Sequence, residues 1–203
     1  MNRFIGERKA YRGECLTDID FSDLSLEGFE FQECRFFGTR MEGLSARNCR
    51  FSACDFSFAQ MNGCQFSHSA FLNCTFSGAN LFASVLEECK CTGSNFSGAN
   101  LAGISMLGGV YSYAVFEGCD LSKMELRGIR FDHAIFSNAN LKKSDLSGCS
   151  LVSAVLPGAD LEECLLRDVR AEGADLKNAR FRRTKIDLQI AAVLAEQMGC
   201  ILE

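Results

Sequence analysis

Residues 51–81 read FSACD FSFAQ MNGCQ FSHSA FLNCT FSGAN L when broken every five residues. Each group opens on a large apolar residue: Phe51, Phe56, Met61, Phe66, Phe71, Phe76 and Leu81. The phase holds outward in both directions. From Phe21 to Ile186 there are 34 consecutive pentads with no insertion and no polar residue at this marker position. The position two before the marker is small or apolar, as at Cys34, Cys54, Ala79, Ala139 and Ala159. The position two after it collects 15 of the 18 glycines, from Gly13 to Gly173. Neither a helical period of 3.6 nor a strand period of 2 gives a repeat of five. A chain that turns a corner every five residues does, with two residues of each pentad pointing inward and three forming the corner and outer wall.

Segments such as Ser-Gly-Ala-Asn-Leu (77–81 and 97–101), Pro-Gly-Ala-Asp-Leu (157–161) and Glu-Gly-Ala-Asp-Leu (172–176) resemble the pentapeptide repeat family over about residues 16–186. The resemblance implies an all-β solenoid, a right-handed quadrilateral β-helix with four pentads per coil. The residues test that coil on their own. At a spacing of 20, one column reads Phe36, Phe56, Phe76, Phe96, Phe116, Phe136, Leu156, Leu176. A second reads Met41, Met61, Leu81, Leu101, Leu121, Leu141, Leu161, and a third begins Phe31, Phe51, Phe71. Like stacks on like. Stacked aromatic pairs contribute roughly 0.5–1.5 kcal/mol each beyond burial. With coils about 4.8 Å apart, the pentads give a rod of roughly 41 Å.

The composition is that of a soluble protein, 47% apolar and 23% charged. No apolar run is long enough to span a membrane, and the N-terminus lacks the apolar core of a secretory signal, so the expectation is a cytoplasmic protein without membrane contact. A net charge of -5 disfavours direct nucleic acid binding. Nine of the 12 cysteines (34, 49, 54, 64, 74, 89, 119, 149 and 164) take the small inward position and Cys91 the large one. They read as reduced packing thiols rather than disulfides. Cys89-Lys90-Cys91 lacks metal-ligand spacing, and only His68 and His133 are at hand, so neither a metal nor a cofactor is expected. No nucleophile elbow or phosphate-binding loop stands in a suitable context, and no enzymatic activity is expected.

A solenoid must cover its ends. Residues 1–15 are expected to cap one end, with Phe4 and Ile5 as plugs, residues 16–186 to form the β-helix, and residues 187–203 to form a helix and a short strand. Asp187 is the expected N-cap, Leu188–Met198 the helix and Gly199 its stop. That helix is apolar nearly all round and requires more than one apolar surface to bury it. Its own last coil supplies one, and a second copy would supply the other. Leu188, Ile190, Ala191, Leu194, Met198, Ile201 and Leu202 are the candidate dimer residues. The tail Leu-Gln-Ile-Ala-Ala-Val-Leu-Ala-Glu-Gln-Met-Gly-Cys-Ile-Leu is similar to the C-terminus of quinolone-resistance (Qnr-type) pentapeptide repeat proteins and related self-immunity proteins of gyrase-poison producers. That resemblance implies a two-fold dimer that imitates duplex DNA and binds type II topoisomerase. Many Qnr-type members carry loops that break the frame; here the frame never breaks.

Over a rod of that length a duplex carries roughly 24 phosphate charges. This chain has a net -5, which leaves only local patches to imitate a backbone. Asp18, Asp23, Glu27 and Glu33 belong to an acidic run near the N-terminus, and Glu117, Asp132, Glu162, Glu163, Asp168 and Glu172 lie nearer the expected dimer centre. The nearby Arg180, Arg182, Arg183 and Lys185 are equally suited to pairing with these acids or touching a partner. Two functions follow as expectations: a topoisomerase-binding resistance or immunity factor, or a non-enzymatic scaffold for another protein.

Overall fold

A computed structural model describes residues 8–201. The chain winds into a right-handed β-helix of about nine coils, closed at its C-terminal end by one helix. Each marker from Tyr11 to Leu176 points inward and is almost fully buried, Phe36, Phe51, Phe56, Phe131 and Leu141 at 0% exposure, whereas Phe181 is half-buried and Ile186 exposed. The small residue two before the marker shares that interior, as Cys64, Ala79 and Ala139 show.

The corner explains the polar part of the repeat. Two residues after the marker φ is positive at every pentad from Gly13 to Arg183 except at Asp18. Glycine adopts this conformation without strain, whereas other residues favour it less. Nineteen of these corners nevertheless carry a side chain, among them Asn48, Asn73, Phe58 and Tyr113. The glycines matter most where something lies against them. A Cβ on Gly78 would stand 2.7 Å from the Phe58 ring one coil below. Asp or Asn before the marker closes the other side of the corner by accepting the N–H of the residue after the marker. Ser22 to Asp20, Ser57 to Asp55, Ser97 to Asn95 and Ser147 to Asp145 are all 2.9 Å. This local bond is the reason an Asx residue suits that position.

Four faces result, numbered by their markers. The first carries the phenylalanine column from Phe36, the second Phe21 and Met41, the third Leu26 and Phe66, the fourth Tyr11 and Phe31. On the fourth face β1 (Ala10–Arg12), β3 (Glu30–Gln32), β5 (Arg50–Ser52) and β7 (Ala70–Leu72) form a four-stranded parallel sheet. On the third, β2 (Ser25–Glu27), β4 (Ser45–Arg47), β6 (Gln65–Ser67), β8 (Val85–Glu87) and β9 (Ser105–Leu107) form a five-stranded one. The register is four pentads throughout, as in Phe31↔Phe51↔Phe71. Farther along, most corners tighten into turns, and β10 (Leu165–Leu166) pairs with β11 (Lys185–Ile186). Rings of the first-face column stack at 4.7 to 5.3 Å from Phe36 to Phe136, within 8° of parallel. Those of the fourth meet them edge-on, as Phe51 meets Phe56 at 72°.

The boundary expected at residue 16 lies earlier, because Ala10–Arg12 already pairs with Glu30–Gln32 and Tyr11 is a buried marker. The plugs Phe4 and Ile5 lie outside the described residues. At the other end α1 (Leu188–Gln197) starts where the pentads stop. Asp187 caps it, accepting from the N–H groups of Gln189 (3.0 Å) and Ile190 (3.1 Å). Gly199, with φ of 84°, ends it. The short strand expected from the tail is not seen in its described part, Cys200–Ile201.

The helix does more than cover the last coil. Its Gln197 side chain accepts the Leu176 N–H at 3.0 Å and donates to the Ala174 carbonyl. Asp187 accepts the Asp168 N–H at 2.6 Å. In interior coils comparable backbone groups bond the next coil, as Leu156 N–H bonds Asp175. Here side chains stand in for the missing coil. Leaving such groups unmet costs about 1–3 kcal/mol. Gln197→Ala is therefore expected to lower the free energy of unfolding by about that amount in urea titration. An exposed change on the same helix, Glu196→Ala, should leave it nearly unchanged.

Candidate partner-binding surface

Four pentads make one coil, so any stretch of that length encircles the rod. The acidic run near the N-terminus is therefore a belt and not a patch: Asp18 lies on the first face, Asp23 on the second, Glu27 on the third and Glu33 on the fourth. The second group divides the same way. Glu117 shares the first face, Glu162 and Glu163 the second, Asp168 the third, Asp132 and Glu172 the fourth. The structure brings together chiefly side chains of neighbouring coils, about 20 residues apart in sequence, as its parallel register of 20 demands.

Near the C-terminal end of the second face the acids are neutralised. Three successive rows alternate in sign: Lys142 and Lys143, then Asp160, Glu162 and Glu163, then Arg180, Arg182 and Arg183. Glu162 lies 3.1 Å from Lys142 and 3.6 Å from Arg182. Glu163 lies 3.8 Å from both Lys143 and Arg183, and Asp160 3.3 Å from Lys142 and 3.7 Å from Arg180. Hydrogen bonds from Lys142 to Glu162 and Asp160 raise its pKa, so this cation stays charged. Of the two expectations for the arginine row, pairing within the rod is the one observed. Elsewhere Glu33 is 3.5 Å from Arg12 and Asp132 3.8 Å from Arg130. Asp18, Asp23, Glu27, Glu117, Asp168 and Glu172 make no ion pair with a described residue. Sequence order alone does not show this pairing, but arranging the charges at a period of 20 does.

The candidate dimer residues also separate. Ile190 is 1% exposed and packed into the core of its own rod, so it has no surface to offer a second copy. Ala191 and Leu194 are half-buried against the last coil. Leu188, Met198 and Ile201 are 88%, 83% and 89% exposed. Leu202 lies outside the described residues. A crevice of about 330 Å³ opens between the helix and the last coil, lined by Leu176, Phe181, Leu194 and Met198.

Against known families, the profile described as pentapeptide repeats (8 copies) matches residues 15–52, 49–87 and 79–103, and that described as a pentapeptide repeat region matches residues 111–189. The chain belongs to the pentapeptide repeat family. No curated protein matches it in sequence. Among solved structures, this pentapeptide repeat protein is similar to a trypsin-treated single-residue variant of QnrB1, a plasmid-mediated fluoroquinolone resistance protein. The match has 20% identity and a TM-score of 0.63, over 95% of this chain and 97% of that one. Full-length QnrB1 matches at 23% identity and a TM-score of 0.55, over 94% and 97%. At these identities the likeness is one of fold.

The cysteines of this pentapeptide repeat protein do more than fill space. From the small position a thiol or hydroxyl donates to a marker carbonyl of the coil below. Cys64 reaches the Met41 carbonyl at 2.9 Å, Cys149 that of Leu126 at 2.8 Å, Ser94 that of Phe71 at 2.8 Å and Thr184 that of Leu161 at 2.7 Å. The position thus favours a small donor, a preference that a reading as hydrophobe alone misses. Burial pushes the thiols of Cys64 and Cys149 up to about 12 and those of Cys89, Cys119 and Cys164 up to about 11. Cys15 and Cys200 are exposed, and the Thr17 hydroxyl lowers the Cys15 pKa. Thiolate is the reactive species. Among the described residues no group of three His, Cys, Asp or Glu side chains is placed to hold a metal ion, and no helix is long and apolar enough to cross a membrane. Ellman titration at pH 8 is expected to count two thiols in the native protein, Cys15 and Cys200, and 12 in guanidinium. A larger native count would mean that the coils open.

Proposed function

We propose that this protein is a non-catalytic, cytoplasmic partner of type II topoisomerase, gyrase or topoisomerase IV. In this reading its rod occupies a place otherwise taken by duplex DNA. It acts as a two-fold dimer joined at the C-terminal helices, and the contact alters the enzyme's response to a fluoroquinolone or a gyrase poison. The observation that carries the reading is the end-to-end match to QnrB1, a fluoroquinolone resistance protein, over nearly the whole of both chains. The exposed Leu188, Met198 and Ile201 support the dimer, since three large apolar side chains left open at the start of one short helix and just past its end call for a cover.

The likeness to DNA in this reading rests on shape first. The net charge of -5 is a fraction of a duplex's, and the ladder from Lys142 to Arg183 cancels the acids of one face. What remains for a basic partner surface is Asp18, Asp23 and Glu27 toward the tip, and Glu117, Asp168 and Glu172 farther along. The same ladder favours a second reading, a scaffold that binds another protein through mixed charge.

Two measurements separate them. Light scattering should give the mass of a dimer, and Leu188→Glu with Met198→Glu should give the monomer with an unchanged circular dichroism spectrum. Gyrase supercoiling with and without a fluoroquinolone should change on adding micromolar wild-type dimer, and the double variant should lose most of that effect. A wild-type dimer that leaves both reactions unchanged would sink the topoisomerase reading and leave the scaffold.

A further inference from the structure

Single rungs of the ladder that joins coil to coil are missing at Gly78 and Gly98, but at one level all rungs are lost on two adjoining faces. On the second face a marker N–H donates to the carbonyl just before the next coil's marker, and the N–H two residues later donates to the carbonyl just after it. Leu81 reaches Asn100 at 2.9 Å and Ala83 reaches Ala102 at 3.0 Å; two coils farther on, Leu121 reaches Asn140 and Lys123 reaches Lys142, both at 2.8 Å. Between them Leu101 and Gly103 make no such bond, although Asp120 and Ser122 stand in register. From the opposite side, Asp120 and Glu125 do not reach Ala99 and Ile104, whereas one coil on Asn140 reaches Cys119 and Asp145 reaches Met124, both at 2.9 Å. Gly108 has no acceptor either, while Glu88 and Gly128 do. For the same reason β9 is the edge of its sheet and pairs with β8 alone.

The other two faces of the same two coils remain joined. Phe96 donates to Val115 at 2.8 Å and Val115 to Ser94 at 2.9 Å, although Gly98 makes no bond to Glu117, and Tyr111 donates to Arg130 at 2.7 Å. The seam is thus open on the second and third faces and closed on the first and fourth. Two adjoining crevices, of about 440 and 380 Å³, follow it. The core beneath stays closed: Leu101 and Met106 are both 4% exposed. The family profiles leave residues 104–110 unmatched at this level, where Gly108 and Gly109 are adjacent.

We propose that the rod is jointed at this seam. Backbone N–H and C=O groups that face a crevice are met by water. Widening or narrowing the crevice therefore exchanges water contacts and breaks no coil-to-coil hydrogen bond on these two faces. Bending at the level before or after it breaks several. The joined first and fourth faces act as the pivot, and the two arms tilt about it, as hinge motions use a few residues that absorb the change. A jointed rod follows a curved partner surface that a stiff one meets at only a few points. The joint does not depend on the topoisomerase reading.

The test uses the full chain and two measurements. In amide hydrogen exchange by NMR, Leu101, Gly103, Gly108, Asp120 and Glu125 should exchange at least 100-fold faster than Leu81, Ala83, Glu88, Asn100 and Ser105, their counterparts one coil earlier. Spin-label pairs then read the bending, in a Cys15→Ser, Cys200→Ser background in which the remaining thiols are buried. Ser67→Cys with Ser147→Cys spans the seam on the third face; Ser57→Cys with Ser137→Cys spans the same coils on the first. The third-face pair should show the broader distance distribution. Equal protection on the two sides of the comparison overturns the seam. Fast exchange with distributions of equal width overturns the joint, since the crevice is then rigid or the whole rod is soft.

Discussion

Each coil is held to the next by backbone hydrogen bonds that run both ways: a marker N–H donates forward to the following coil, and the N–H before a marker donates back to the preceding one. Met41 to Gln60 and Gln60 to Thr39, at 2.8 and 2.9 Å, are one such pair. The rest of the structure depends on keeping these bonds in register. A coil one residue longer or shorter would shift the markers that follow out of the interior, and the chain carries no insertion from Phe21 to Ile186. The left-handed residue two after the marker and the Asx bond one before it are local devices that turn each corner at the required place. Stacked phenylalanines and donating thiols then fill an interior whose dimensions the ladder has already set.

The same register governs the surface. Charges one full coil apart along the chain become neighbours, and charges adjacent in sequence are carried around the rod onto different faces. This converts the N-terminal acidic run into a belt. It also converts three separate charged segments, around residues 142, 162 and 182, into one alternating ladder. Exposed pairs of this kind contribute about 0–1 kcal/mol each. Their larger effect is on the field a partner meets, which is nearly cancelled on that face and acidic toward the N-terminal tip. The ends follow from the register as well. Where no further coil exists, Asp187 and Gln197 supply the missing partners, and the helix that carries them leaves an apolar edge at Leu188 and Met198.

Much of the fold was legible because its period is short and unbroken. The marker, the small inward residue, the columns of like residues, the Asp187 cap and the helix all follow from residue type and spacing. The sites were less legible. Ile190 belongs to the same apolar stretch as Leu188 and Met198, yet it is buried in its own rod while they face out. Gln197 reads as an ordinary polar helix residue until its amide is seen between Ala174 and Leu176. The acids were visible as a series in sequence order but not as pairs, because pairing depends on the distance between side chains on neighbouring coils.

By itself the sequence determined the period, the identity of the inward positions and the place where the solenoid gives way to a helix. These depend on side-chain size and corner chemistry repeated within each pentad, and a local rule repeated 34 times leaves no competing arrangement. Only the tertiary structure decided which charges neutralise one another, which face of the helix is left open, and that the ladder parts between Leu101 and Asp120 while the pentads run on without a break. Those outcomes depend on the offset of one whole coil against the next, four pentads along the chain and one strand spacing through space, which no single pentad encodes.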